Sequence, residues 1–358
     1  MPILVTGGAG FIGSNLVDRL AGAGHAVRVY DALSRAGTER NLEWLRSRHG
    51  ERIDFVHADI RDADRLDAAV GDATAVFHLA AQVAVTTSLA DPRADHDINI
   101  GGTFNLLEAL RRRGDAGGQG GVPLVFASTN KVYGDLADLD FRLAGDAYVP
   151  VDPMIAAHGV GEDRPLDFHT PYGVSKGAAD QYVLDYTRSF GLPAAVLRMS
   201  CIYGQRQMGT EDQGWVAHFL IRALEGQPIT LYGDGYQVRD ILDVSDAVDA
   251  YVCAWRAMAR VRGRAFNLGG GAANAVSLRA LIAHMERLIG RPVDLRFDDW
   301  RAGDQRYFVA DTRAADAALG LGPKVGWREG VADLARWLAA ERRLNLPVGP
   351  GEPRALAS

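Results

Sequence analysis

The first half of the chain alternates short apolar runs with segments that place an apolar residue every three or four positions. Runs such as Pro2–Thr6 and Ala75–Leu79 are typical of buried strands, whereas Ile12 and Leu16 lie on one face of a predicted helix over 11–23. Strands that are apolar throughout belong to parallel sheets covered on both faces. The pattern therefore predicts an α/β fold with a doubly wound parallel sheet.

This alternation is regular as far as residue 198 and weakens after it. We predict one domain over 1–198 and a smaller C-terminal α/β lobe over 199–345, with the segments around 237–268 as candidates to return to the first domain. The segment 137–167 is predicted to be an irregular surface excursion, and the Pro- and Gly-rich tail 346–358 to be frayed. The predicted strands are 2–6, 26–30, 55–60, 75–79, 123–127, 193–198, 228–231 and 265–268, and the predicted helices are 11–23, 63–70, 93–113, 170–190, 215–224, 245–258, 277–289 and 328–342.

Three glycines, Gly7, Gly10 and Gly13, form a G-x-x-G-x-x-G pattern between the first strand and the first helix. They permit a tight turn and let the backbone approach a pyrophosphate at the helix N-terminus. The next strand ends at Asp31, whose carboxylate can accept both hydroxyls of an adenosine ribose and would repel a 2′-phosphate. The series predicts a Rossmann-type site for NAD, while the nearby Arg35 leaves NADP open.

Later strand ends extend this cofactor site along the edge of the sheet. Asp59 either lies near the adenine or caps the following helix, and the sequence favours neither interpretation over the other. Small residues after the fourth strand leave room for a cofactor to cross, and Asn99 is interpreted as a polar tie to the active-site strand rather than a catalytic group. The predicted cofactor contacts are Gly7, Gly10, Phe11, Ile12, Gly13, Asp31, Ser34, Arg35, Asp59, Ile60, Leu79, Ala80, Ala81, Gln82, Asn99, Ala127, Tyr172 and Lys176.

Tyr172 and Lys176 are four residues apart, so on a helix they share one face, one turn from each other. A free Tyr titrates near ~10 and is a poor base at neutral pH. An adjacent ammonium, together with the charge of an oxidised nicotinamide, would lower the pKa of the phenol and make it a proton acceptor. Thr129, which follows the fifth strand at the same sheet edge, can hydrogen-bond the substrate oxygen. We predict that Thr129, Tyr172 and Lys176 are catalytic.

Residues of the second lobe are candidates to bind an anionic substrate. Arg239 and Arg306 are predicted to bind a diphosphate, because guanidinium groups match phosphate oxygens bidentately, with surface ion pairing as the open alternative. Trp215 and Tyr232 can flank a nucleotide base, although aromatic residues in such positions are more often core. The predicted substrate contacts are Ser128, Thr129, Asn130, Ser200, Gln213, Trp215, Tyr232, Arg239 and Arg306.

Composition narrows the class of protein further. The 358 residues carry a net charge of −6 with no long basic run, which argues against a nucleic-acid partner. Cys201 and Cys253 are the two cysteines and have no metal-ligand spacing, so no metal is predicted and a reducing cytosol is expected. No apolar run reaches ~18 residues and no signal-like segment precedes the first strand, so we expect a cytoplasmic protein without a membrane span.

Several blocks together resemble the extended short-chain dehydrogenase/reductase family of nucleotide-sugar enzymes. The general features are the glycine turn, Thr129 and the Tyr172–Lys176 pair, and the resemblance runs roughly from Ile3 to Trp337. More specific blocks are similar to the subgroup that epimerises CDP-sugars of the paratose and tyvelose type at C2. These blocks are Ser128–Asp135, Leu166–His169, Gly177–Tyr182, Asp212–Trp215, Gln237–Asp240 and Asp304–Arg306.

The resemblance implies an NAD-dependent epimerase that oxidises one sugar carbon to a ketone and returns the hydride to the other face. It also implies a nucleotide-diphosphate sugar as substrate, with a CDP-sugar favoured, and a homodimer by analogy. Dehydratases of the family carry an Asp-Glu pair after the active-site Ser/Thr, where this chain has Asn130 and Lys131, so dehydration is not expected. A nucleotide-sugar 4-epimerase of the UDP-glucose type and a catalytically silent NAD-binding regulator remain the alternatives.

Overall fold

The computed structural model of the protein describes residues 1–117 and 121–346, so all but the first residue of the predicted tail lies outside the described residues. In chain order the strands are β1 (Ile3–Thr6), β2 (Val27–Asp31), β3 (Ile53–His57), β4 (Ala75–His78), β5 (Leu124–Thr129), β6 (Phe141–Ala144), β7 (Ala147–Pro150), β8 (Ala194–Met199), β9 (Cys201–Tyr203), β10 (Ile229–Tyr232), β11 (Val238–Asp243), β12 (Arg264–Leu268), β13 (Ala275–Ser277), β14 (Leu295–Asp298) and β15 (Tyr307–Phe308).

Helices connect most of these strands. The α-helices are α1 (Phe11–Gly22), α2 (Thr38–His49), α3 (Ala63–Val70), α4 (Val85–Ala90), α5 (Pro92–His96), α6 (Gly102–Gly117), α7 (Pro153–His158), α8 (Thr170–Phe190), α9 (Trp215–Glu225), α10 (Val244–Arg256), α11 (Met258–Val261), α12 (Leu278–Ile289), α13 (Arg313–Leu319) and α14 (Trp327–Arg342). Short 3-10 turns span Gly50–Arg52, Asn130–Tyr133 and Ala272–Asn274, and a π-helical turn spans Asp97–Gly101.

Seven parallel strands form the central sheet in the order β12-β8-β5-β4-β1-β2-β3. This arrangement confirms the predicted α/β, doubly wound parallel fold. The chain winds outward in both directions from β1 and β4, so the connections leave on opposite faces and open a crevice at the carboxyl edge between these two strands. Such a crevice is where open α/β sheets bind their ligands.

Apolar side chains on both faces of the sheet explain why its strands read as continuous hydrophobic runs. On one face Val5, Val29 and Phe77 pack with residues of α1 and α10, including Leu16 and Tyr251. The other face carries a separate core that joins the strands to α3, α6 and α8. Burial on both sides leaves only the strand ends free for polar chemistry.

A further apolar core gathers α9, α12 and α14 around Leu220, Leu281 and Leu334. Beside it, β11 pairs in parallel with β9 and β15 and antiparallel with β13. These pairings bring residues from distant parts of the chain against the carboxyl edge of the large sheet.

The structure differs from the predicted elements in several places, and the elements that the sequence did not predict include α2, α13, β9, β11, β13, β14 and β15. The segment 137–167, predicted to be irregular, contains the antiparallel hairpin of β6 and β7 followed by α7, which Asp152 caps. The single helix predicted over 93–113 is divided by the π-helical turn Asp97–Gly101. Within the described part of the chain, no helix is both long enough and apolar enough to cross a membrane.

Candidate active site

A cavity of about 850 Å³ lies along the carboxyl edge of the sheet and extends to the apolar core of α9, α12 and α14. Its wall combines the turn after β1, the ends of β2, β4, β5 and β8, the start of α8, and segments around α9, β10 and β11. Residues predicted to bind a dinucleotide and residues predicted to bind an anionic substrate therefore line the same cavity.

The glycine turn after β1 has the shape required by a dinucleotide. Gly7 has φ +70°, and a Cβ atom at that position would lie 2.7 Å from the backbone nitrogen of Ala80. A Cβ atom on Gly13 would lie 2.1 Å from the carbonyl oxygen of Gly7, so α1 packs directly on the turn. Gly10 begins α1 without any side-chain cap, which leaves the first N–H groups of the helix available to a phosphate.

Asp31 lies at the end of β2 beside this turn. Its Oδ2 accepts a hydrogen bond from the Ala9 backbone nitrogen at 3.0 Å and its Oδ1 accepts one from Leu33 at 2.9 Å. The backbone thus orients the carboxylate in the cavity wall, where each oxygen can accept a ribose hydroxyl. With the uncapped helix start, these residues fit the pyrophosphate and the adenosine ribose of NAD.

Asp59 also lines the cavity, but it does not cap the following helix. Asp62 caps α3 by accepting from the backbone nitrogen of Arg65 at 3.1 Å. Asp59 instead accepts from the guanidinium of Arg61 at 2.7 Å, and this contact holds the pKa of Asp59 below its usual value. The capping interpretation of Asp59 is therefore wrong.

Sixteen of the eighteen predicted cofactor contacts line the cavity, and Gln82 and Asn99 do not. The backbone nitrogen of Gln82 donates to Asn99 Oδ1 at 2.9 Å, and Asn99 Nδ2 donates to the Gln82 carbonyl at 3.0 Å. Asn99 Nδ2 also reaches Ser175 Oγ on α8 at 3.0 Å. These buried amides satisfy one another and tie the end of β4 to α8, which agrees with the polar tie predicted for Asn99, while the cofactor contacts of Gln82 and Asn99 stay predictions.

Thr129, Tyr172 and Lys176 all line the cavity, and all three are largely buried. α8 begins at Thr170 with Pro171 in its first turn, and the backbone nitrogen of Tyr172 donates to Ser88 Oγ at 3.1 Å. The Thr129 hydroxyl accepts from the backbone nitrogen of Lys131 at 3.2 Å. These contacts hold Thr129 at the end of β5 and Tyr172 at the start of α8.

Burial dominates the electrostatics of this group. It raises the pKa of Tyr172, and hydrogen bonding to Thr129 and the charge of Arg35 oppose that effect. Burial lowers the pKa of Lys176 to about 8, against the opposing charges of Asp180 and Asp95. The sequence predicted a lowered pKa for Tyr172. In the protein without a bound cofactor the pKa of Tyr172 is raised, because the loss of water outweighs the nearby positive charge of Arg35.

Two predicted substrate contacts line the cavity with hydroxyls that already have protein acceptors. Ser128 Oγ donates to Asp180 at 2.7 Å, and Ser200 Oγ donates to Asp240. Asn130, also in the wall, donates from its amide to Gln305 at 3.3 Å. We conclude that these three side chains shape the wall mainly through contacts within the protein.

Of the two predicted diphosphate contacts, one lines the cavity and the other does not. Arg239 lines the cavity, where its Nη2 donates to Asp304 Oδ1 and to the Gln305 carbonyl, both at 2.6 Å. Arg306 is exposed and lies outside the cavity, with its guanidinium 5.7 Å from the ring centre of Tyr148. The predicted contact of Arg306 is therefore corrected.

Alternation along the chain explains this outcome. Gln305 and Tyr307 are buried, so the residue between them points to the other side. Arg301 lines the cavity instead, with its guanidinium 3.8 Å from the ring centre of Tyr232. Sequence reasoning missed Arg301, although the turn around Gly303 that presents it was visible as a turn signal.

Gln213, Trp215 and Tyr232 also line the cavity, and their contacts with a substrate stay predictions. The indole nitrogen of Trp215 donates to the Cys201 sulfur at 3.3 Å, which draws this thiol into the wall. Lys131 is another lining residue that the substrate prediction omitted, and its Nζ donates to the Gly303 carbonyl at 3.0 Å. No pattern in the sequence marked Cys201 as part of the site.

The sequence is similar to those of known epimerases, both as a family and one by one. The model of the NAD dependent epimerase/dehydratase family matches residues 3–269. The chain is 42% identical over 349 residues to the CDP-paratose 2-epimerase of Salmonella typhi, covering 95% of this chain and 100% of that protein. It is 33% identical to a putative UDP-glucose 4-epimerase of Methanocaldococcus jannaschii, covering 95% and 99%.

A solved structure shares the whole architecture. The UDP-glucuronic acid 4-epimerase of Bacillus cereus, in complex with UDP-glucuronic acid and NAD, matches with a TM-score of 0.81 at 28% identity, covering 95% of this chain and 100% of that one. The chain therefore belongs to the NAD-dependent epimerase/dehydratase family. Within that family it is an NAD-dependent nucleotide-sugar epimerase of the extended short-chain dehydrogenase/reductase type, which confirms the predicted family, enzyme class and cofactor.

Proposed function

We propose that this enzyme epimerises a CDP-sugar of the paratose and tyvelose type at C2. The observation that carries the proposal is the 42% identity to a CDP-paratose 2-epimerase along nearly the whole of both chains. The cavity supports it, because Thr129, Tyr172 and Lys176 line the same cavity as two guanidinium groups, those of Arg239 and Arg301. A sugar linked to a diphosphate can span these two sets of residues.

In this mechanism Tyr172 acts as the phenolate, which the ammonium of Lys176 and the positive charge of an oxidised nicotinamide would stabilise against the effect of burial; it accepts the proton of the sugar hydroxyl while Thr129 hydrogen-bonds the same oxygen. Bound NAD would accept the hydride of the carbon that carries this hydroxyl and would return it to the same carbon. Lys176, as an ammonium one turn along α8, stabilises the phenolate. After the resulting ketone has turned in the cavity, Tyr172 returns the proton and the carbon has the opposite configuration.

The wall of the cavity suits such an intermediate. A 2-keto sugar lies beside the anomeric carbon, so side reactions with water have to be prevented until the ketone is reduced. Arg239 is held by Asp304 and by the Gln305 carbonyl, and can bind the diphosphate without moving. The anchored diphosphate leaves the sugar free to rotate about its bonds to the nucleotide.

The positions after Thr129 argue for epimerisation over dehydration. Asn130 donates to Gln305, and Lys131 donates to the Gly303 carbonyl. Neither residue is a carboxylic acid, so neither can supply the acid–base pair that removes water from a sugar. A 4-epimerase remains the second candidate, since other relatives are named for that reaction and act on UDP-sugars by name.

Incubation of the full chain with CDP-, UDP- and GDP-sugars in deuterated water tests the proposal. We expect the fastest turnover with a CDP-sugar, inversion at C2, and no deuterium at that carbon, because the hydride returns from the cofactor. Inversion at C4 of a UDP-sugar would replace the proposal by the second candidate. Deuterium at C2 would indicate enolisation in place of hydride return.

We also propose that the enzyme is a homodimer through α6 and α8, in the cytoplasm. Phe104, Tyr182 and Phe190 on these helices are 42%, 43% and 55% exposed, which is unusual for aromatic side chains in one face of a monomer. Sedimentation of the parent and of Phe104→Asp tests this surface. We expect a dimer that the substitution dissociates, whereas Leu143→Asp on β6 should leave the parent mass unchanged.

A further inference from the structure

A buried ion pair lies directly behind the catalytic residues. Asp180 on α8 is fully buried and Arg198 on β8 is 5% exposed. Arg198 Nε donates to Asp180 Oδ2 at 2.9 Å, and Nη2 donates to Oδ1 at 3.0 Å, so the pair is bidentate. The pair therefore joins α8 to β8, the strand next to β5 in the large sheet.

The same carboxylate reaches the strand that carries the catalytic threonine. Ser128 Oγ donates to Asp180 Oδ2 at 2.7 Å, and Ser128 immediately precedes Thr129 at the end of β5. Asp180 is also four residues after Lys176, one turn along the same face of α8. One side chain thus contacts the end of β5 and adjoins the Tyr172–Lys176 face.

Arg198 extends this arrangement to the other side. Its Nη1 donates to the Tyr133 hydroxyl at 3.1 Å, and that hydroxyl donates to Asn267 Oδ1 at 2.8 Å. A buried ion pair is weak support for stability by itself, since apolar replacements of both partners are often neutral. Its position around the catalytic residues is therefore the more informative property.

The ammonium of Lys176 is enclosed by groups from four elements. Its Nζ lies 4.3 Å from the ring centre of Phe126 on β5. The acids that act on its charge are Asp180 on α8 and Asp95 on α5, while Tyr172 lies one turn before it on α8. His78 on β4 is buried nearby, and burial together with the charge of Lys176 lowers the pKa of His78 to about 3, so that ring is neutral.

We infer that Asp180 is a positioning residue of this enzyme: it fixes the Ser128–Thr129 end of β5 against the Tyr172–Lys176 face of α8 and supplies negative charge that keeps Lys176 an ammonium. The inference rests on the proposed roles of Tyr172 and Lys176. Arg198 orients the carboxylate and partly offsets its charge. Removal of either partner should therefore disturb packing to a similar extent. Loss of Asp180 should lower the pKa of Lys176, whereas loss of Arg198 should raise it.

The test is the pH profile of kcat for the full-length, NAD-loaded enzyme, measured for the parent, Asp180→Asn and Arg198→Met on a nucleotide sugar that the parent converts. In Asp180→Asn we expect the fall of kcat on the alkaline side of the profile (the alkaline limb) to begin about one pH unit lower. A shift of this size is expected for the loss of one nearby opposite charge, and KM should change little. At pH 8 this shift corresponds to about a fivefold loss of kcat. In Arg198→Met the limb should move to higher pH.

Ser128→Ala serves as the matched variant, because it removes one contact of Asp180 and no charge, so its limb should coincide with that of the parent. If Asp180→Asn fails to fold, an upward shift in Arg198→Met with none in Ser128→Ala still supports the inference. Limbs that coincide in every folded variant, or that move down in both charge variants, would overturn it. An inactive parent would count against the proposed function instead, which keeps the two failures distinct.

Discussion

The two sides of the cavity are built in different ways. On the sheet side, Thr129 is the last residue of β5, and Tyr172 and Lys176 occupy one turn of α8. On the opposite side, Arg239, Arg301 and Trp215 come from three separate segments that the pairings of β11 and the packing of α9 bring to one surface. The residues proposed to be catalytic are therefore close together along the chain or at a strand end, whereas those proposed to bind the substrate are brought together by long-range contacts.

This difference determines how each side tolerates change. The sheet side depends on buried groups that are satisfied within strands and helix starts, such as His78 between Thr6 and Thr103. The opposite side depends on turns that present charged groups, such as the one at Gly303 that carries Arg301. We expect substitutions on the sheet side to alter turnover or folding, and substitutions on the opposite side to alter substrate affinity.

The largest effect should come from the phenol on the sheet side. Replacing Tyr172 by Phe removes the proton acceptor, and kcat should fall by about 10²- to 10⁴-fold, the range of general acid–base catalysis. NAD should stay bound, because the glycine turn and Asp31 are untouched. The measurement is kcat for the purified variant, with cofactor content determined by absorbance after denaturation.

A second tyrosine on the same helix provides the control. Tyr186 donates its hydroxyl to Glu108 at 2.8 Å, does not line the cavity and is also buried. Tyr186→Phe should keep kcat within about threefold of the parent while losing about 1 kcal/mol of stability. Equal activity of Tyr172→Phe and Tyr186→Phe would show that the sheet side does not carry the chemistry as described.

The next largest effect should come from the opposite side. Arg301→Met removes a cavity guanidinium, and KM for the nucleotide sugar should rise about ten- to hundredfold, as expected for loss of a charge-assisted hydrogen bond. Since the sheet side is unchanged, kcat should change much less. Steady-state kinetics with saturating cofactor measures both constants.

Arg306→Met is the matched control for this prediction, since Arg306 is five residues away in the chain but points out of the cavity. Its KM should remain that of the parent. A rise in KM for Arg306→Met that equals the rise for Arg301→Met would mean that the sequence-based choice of Arg306 was right and that the alternation argument fails.

The smallest predicted effect concerns folding of the sheet side. The pKa of His78 is about 3 in the folded protein, below the model-peptide value, so the unfolded state binds a proton that the folded state excludes. Stability should therefore fall as the pH drops below about 6.5, and this group should contribute a loss of about 2 kcal/mol between pH 7 and pH 5. Urea unfolding at the two pH values measures the loss.

In His78→Asn the loss of unfolding free energy between pH 7 and pH 5 should be smaller than in the parent by about 2 kcal/mol. Replacement of the exposed His96 by Asn controls for the removal of one histidine from the chain. If both variants change the pH dependence equally, the burial of His78 is not the cause, and the sheet side is less sensitive to its buried polar groups than we describe.

Much of the sheet side was determined by the sequence alone. Continuous apolar runs, a glycine pattern and an acid at a strand end act over a few residues, so the parallel sheet, the dinucleotide turn and the Tyr172–Lys176 face were all predictable from local spacing. The hairpin of β6 and β7 was not, because its segment has no clear alternation and is held by packing on other parts of the chain.

Only the tertiary structure decided the opposite side and the electrostatics. Whether Arg301 or Arg306 faces the cavity depends on the alternation next to β15 and on the pairing of that strand with β11, which no local pattern encodes. The direction of the Tyr172 pKa likewise depends on how completely the fold removes water, while the sequence showed only the nearby lysine. Spacing along the chain identifies which groups can react, and three-dimensional packing sets their orientation and their charge.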